Sequence, residues 1–121
     1  MAAACRLVLA LAVSACATLE PAAAAASRPI QRGQADYAAY CAPCHGSRGA
    51  GDGPMARMLA AAPARHDDAA FMSRRSDEYV FQLLKDGGSK FGKSPLMGAW
   101  GKILSEDRIR DLVAYIRFLS R

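Results

Sequence analysis

The chain has 121 residues, a formal net charge of +5 and 52% hydrophobic residues, yet 21 of the first 26 are apolar against 42 of the remaining 95. The excess therefore belongs to a leader, and the remainder has the composition of one small globular domain. Length excludes a multidomain enzyme, and no later apolar run approaches the ~20 residues of a membrane-spanning helix, which excludes a channel.

In the leader, Arg6 gives a short positive start and Leu7 to Leu19 is almost unbroken apolar sequence. Ala24-Ala25-Ala26 then supplies small residues before Ser27. Residues 1–26 read as a secretory signal peptide, leaving a domain over 27–121. Val13-Ser14-Ala15-Cys16 allows a second reading, a lipoprotein signal over 1–15 with a lipidated Cys16 and residues 17–30 as a tether. Either route exports the domain to the periplasm, and only the lipid would bring it to a membrane. The exported part keeps 15 Lys plus Arg against 10 Asp plus Glu. Export separates this charge from nucleic acid, and the basic residues are scattered among acids. They read as solvated faces, or as a rim that steers an acidic protein partner.

Along the domain, a helix is predicted from Gln31 to Cys44, with Gly33, Tyr37 and Cys41 on one stripe. Gly46 to Pro54 reads as a glycine-dense loop, and Met55 to Ala61 as a short helix stopped by Pro63. A third helix is predicted over Asp77 to Asp86, capped by Ser76, with Val80, Leu83 and Leu84 on one face and Gly87-Gly88 at its end. The last helix is capped by Ser105, carries Glu106 and Asp107 in its first turn, and repeats Ile109, Leu112, Val113, Ile116 and Leu119 at helical spacing. No segment alternates like a strand. The fold class expected is all-α, with about four helices.

Cys41-Ala42-Pro43-Cys44-His45 is a C-x-x-C-H motif. Two thiols three residues apart at a helix end lie near one another, spaced to form thioethers with the two vinyl groups of one haem. His45, the next residue, is then held close enough to ligate the iron. A thioredoxin-like site would need an α/β domain, a Cys41–Cys44 disulfide would close only a tiny loop, and zinc would need a fourth ligand that only His66 could supply. For the second axial position the candidates are Met55, Met58, Met72, Met97 and His66. Met97 is favoured, because it lies 52 residues after His45 on a Pro- and Gly-flanked loop that can wrap to the opposite face. Met55 and Met58 read as core on the His45 side, Met72 as packing, and His66, among Arg65, Asp67 and Asp68, as an exposed turn.

Over residues 31–121 the chain resembles the small mono-haem class I cytochromes c of bacteria. Cys41 to Gly46 gives C-A-P-C-H-G, Gly51 to Pro54 gives G-D-G-P, Lys93 to Trp100 looks like the distal-ligand loop, and Leu112 to Ile116 like the C-terminal helix. The resemblance implies helices packed round one haem c attached through Cys41 and Cys44, with His45 and Met97 on the iron. It implies that the Pro54 carbonyl accepts from the Nδ1–H of His45, and that Gly33 and Tyr37 pack against the last helix near Leu112 and Tyr115. Trp100 is expected against a haem edge or propionate, or as plain core. Many relatives have proline after the distal methionine; here it is Gly98, which loosens the ligand loop.

With both axial positions filled, the expected function is one-electron transfer by a monomeric carrier between redox donor and acceptor proteins, not catalysis. Two alternatives stand: a small haem subunit of a periplasmic oxidoreductase, and a five-coordinate haem with peroxidase or gas-binding activity if Met97 dissociates.

Overall fold

The structure, a computed structural model, describes residues 22–121. Most of the predicted signal sequence, with Cys5 and with Cys16, the residue lipidated in the alternative reading, lies outside the described residues. Five α-helices and no strand occur among the described residues: α1 (Ala22–Tyr40), α2 (Ala42–His45), α3 (Ala69–Ser73), α4 (Asp77–Asp86) and α5 (Glu106–Leu119). Single 3₁₀ turns at Ala56–Met58, Gly88–Phe91 and Trp100–Lys102 punctuate the connections. None of the described helices is long and apolar enough to cross a membrane.

The fold is organised by α1 against α5. On α5, Ile109, Leu112, Val113, Tyr115 and Ile116 are buried, the face that the periodicity predicts. On α1, Gly33 and Tyr37 meet it. A side chain at Gly33 is sterically excluded, because a Cβ there would overlap the Asp111 carbonyl and crowd Tyr115. Tyr37 then packs edge-on to Tyr115, with ring centroids 5.2 Å apart. Two reciprocal two-pronged ion pairs flank this crossing: Arg32 of α1 donates to Asp111 of α5, and Arg108 of α5 donates to Asp36 of α1. Asp36 and Asp111 are buried beneath partly exposed arginines, so the pairs fix the register of the two helices more than they add net stability.

Helices α4 and α5 start as their sequences predict. The Ser76 Oγ accepts from the Tyr79 N–H, and the Ser105 Oγ from the Arg108 N–H. Three elements differ from expectation. Helix α1 begins at Ala22 rather than Gln31, running through an alanine tract of high helix propensity, and it ends one residue before Cys41. The helix expected over Met55 to Ala61 is only the turn Ala56–Met58, since the segment buries no face and sits between two prolines. Met55 and Met58 are accordingly 43% and 76% exposed, not core. Conversely, the apolar patch around Met72 forms α3, capped by Asp68, whose side chain accepts from the Phe71 N–H.

Candidate cofactor site

The C-x-x-C-H segment leaves the end of α1 as a separate turn. Pro43 sits in the first turn of α2, where its missing N–H leaves nothing unpaired, and Gly46, at φ 82°, ends the helix. The glycine loop then folds back over that end. The N–H groups of Gly51, Gly53 and Met55 donate to the carbonyls of His45, Cys44 and Pro43 respectively. The terminal carbonyls of a four-residue helix are thus satisfied by its own succeeding loop, which is why so short a turn is stable. Gly53 approaches so closely that a Cβ would strike the Pro43 and Ala42 carbonyls.

Cys41 and Cys44 are free thiols, Cys41 buried and Cys44 partly so. Burial pushes the Cys41 thiol up to about 12, with the negative charge of Asp36 adding to the effect. Both face a mostly apolar cavity of about 510 Å³, within the ~300–1,000 Å³ range of cofactor sites. His45, Met97 and Trp100 line the same cavity, with Leu83, Leu84 and Ile116 from α4 and α5. Five of the six residues singled out from the sequence are therefore brought together; Pro54 is not. Met97 is carried on a loop pinned to the end of α4, because the Gly88 N–H donates to the Met97 carbonyl at 2.9 Å.

Pro54 is exposed, and its expected bond is made elsewhere. The Nδ1–H of His45 donates to the Ala64 carbonyl at 2.9 Å. The tautomer is thereby set with Nε2 as the free lone pair, and burial keeps the ring below its ordinary pKa. The partner is a carbonyl just after a proline, but Pro63 is that proline, after a longer loop than the resemblance implies.

His66 is also misplaced by its sequence context. It is only 8% exposed, lines the cavity, and lies parallel to His45, with ring centroids 4.2 Å apart at 15°. Its Nδ1 is hydrogen-bonded to the Tyr37 hydroxyl at 2.9 Å. Burial, helped by neighbouring His45, pushes its pKa down to about 3. The flanking Arg65 and Asp67 pair with each other on the surface. His66 sits in a turn whose backbone N–H donates to the Gly49 carbonyl, and no local sequence pattern marks it as buried.

The donor set fits a haem better than a metal ion alone. No cluster of three or more His, Cys, Asp or Glu side chains among the described residues is arranged to hold a metal. The cavity instead combines two thiols, an imidazole with a free nitrogen and a thioether around apolar walls. It also holds one orphan: the Trp100 Nε1–H is buried with no hydrogen-bond partner. A buried unpaired donor is costly, and an acceptor brought in by a bound group relieves it.

These features define a cytochrome c domain with an all-α cytochrome c fold. Residues 28–116 match the family described as cytochrome C oxidase, cbb3-type, subunit III, and the chain belongs to that family. No curated protein matches the chain.

Proposed function

We propose that the protein is an exported carrier of single electrons, holding one haem c through Cys41 and Cys44, with His45 and Met97 as axial ligands. The convergence of these four side chains on one apolar cavity carries the reading. When bound, the haem supplies a reversible ferric–ferrous couple, and His/Met ligation raises its potential. The chain's residues do the rest. Ala64 orients His45 and keeps its Nε2 unprotonated. Leu83, Leu84 and Ile116 exclude water from the site, and Trp100 offers its idle N–H to an acidic substituent such as a propionate. Cleavage after Ala26 would place Pro29, now well inside α1, in the first turn of the mature helix, where proline is tolerated. Partners are redox proteins met transiently, with the scattered basic surface assisting encounter with acidic faces.

Covalent attachment is tested by expressing the full chain with a haem-attachment system and weighing the exported product. One haem per chain is expected after denaturation and extraction, with none retained by the Cys41→Ala, Cys44→Ala variant. A colourless chain from a working system would overturn the reading. The family description favours a second possibility for the partner: a stable subunit of an oxidase-type complex rather than a free shuttle. Stoichiometric co-purification would select it.

A further inference from the structure

We propose that His66 is a positioning residue for the axial ring: stacked on the face of His45 and tied to α1 by the Tyr37 hydroxyl, it sets the rotation of the His45 imidazole. The inference rests on the proposed role of His45 as the iron ligand. A ligating imidazole held only by its Nδ1–H bond can still pivot about the axis through its two nitrogens. Here that freedom is removed from a second direction. Ala64 accepts at the ring edge, and His66, two residues later, covers the ring face at 4.2 Å and 15°. The covering ring is itself held at both ends. Its backbone N–H donates to the Gly49 carbonyl at 2.7 Å, and its Nδ1 meets Tyr37, which is 1% exposed at the α1–α5 crossing. Space next to Gly49 is equally tight, since a Cβ there would lie 2.8 Å from the His66 Cβ. A residue that merely filled core could be any apolar side chain. A flat ring with a polar atom anchored to a buried hydroxyl is specified for orientation, as groups around metal ligands generally are.

The test uses the haem-loaded protein and reads ring orientation directly, from the ferric g-values and the spread of the haem methyl resonances. Haem content and His45 ligation are first established in the unaltered protein; their absence would overturn this inference together with the proposed function. With them in place, His66→Leu is expected to shift both signals while the iron stays low-spin. His66→Phe, which keeps a flat ring, should restore most of the original pattern. Tyr37→Phe should shift the signals in the same direction as His66→Leu but by less. Unaltered spectra in folded His66→Leu, or equal shifts in the Leu and Phe variants, would overturn the role of His66 alone. If His66→Leu does not fold, Tyr37→Phe decides: an unshifted spectrum contradicts the tether, and a shifted one supports it.

Discussion

At the scale of single residues, chemistry is legible where it is local and hidden where it depends on the return of a distant segment. Cys41, Cys44 and His45 are close in space because they share one turn, so spacing alone announces them. The acceptor for His45 is 19 residues away, and whether Pro54 or Ala64 supplies it depends on how the glycine loop closes. His66 escapes a reading of its neighbours for the same reason, because they describe the outer face of the segment only. Pro54→Ala should therefore leave the loaded protein's spectrum unchanged and shift its stability by no more than ~0.5 kcal/mol, the usual range for exposed sites. Trp100→Phe should behave oppositely. If its N–H reaches a bound acidic group, the variant loses about 1–3 kcal/mol by denaturant unfolding of the loaded protein. An unchanged or raised midpoint would mean that the indole is only packing.

At the scale of elements, the helices that sequence locates are those with both a cap and a buried stripe. Helices α4 and α5 have Ser76 and Ser105 at their starts and apolar faces at helical spacing, and their bounds match. The alanine-rich segment after Met55 has propensity without a face to bury, and it forms one turn. Helix α3 has the reverse balance: five residues are too few for a periodic signal, but Met72 is 3% exposed and draws them into the core. The α1–α5 crossing depends most on one position. Gly33→Ala should cost about 1–3 kcal/mol or more, the range for overpacking, because the obstructing atoms are backbone and cannot rotate away. Ser105→Ala should cost about 1 kcal/mol through loss of the α5 cap. Chemical denaturation of the loaded variants measures both.

At the scale of the whole molecule, the cavity presents mostly apolar walls that a bound group would cover. A porphyrin that buries roughly several hundred Å² of apolar surface there contributes on the order of 10 kcal/mol at ~25 cal/mol per Å², comparable to the entire stability of a small domain. In the proposed reading the cofactor is part of the core, and the chain without it should be largely unfolded. Well-dispersed amide resonances from the Cys41→Ala, Cys44→Ala variant without haem would contradict this. Alkaline pH tests the core from another side. Burial pushes the Tyr37 hydroxyl above its ordinary value of 10.0. An unfolded chain ionises this tyrosine more readily than the folded one. Its contribution is full below about pH 10 and is lost as the pH climbs towards the folded value. Stability of the loaded protein should fall above about pH 10, and Tyr37→Phe should flatten that fall.

The ligand pair itself is tested most directly by the ferric absorption spectrum of the haem-loaded protein, with and without Met97→Ala. A low-spin spectrum is expected, with a weak band at its red edge that reports methionine–iron ligation and that vanishes in the variant. A high-spin spectrum lacking that band, or a band that survives Met97→Ala, would contradict the pairing of His45 with Met97.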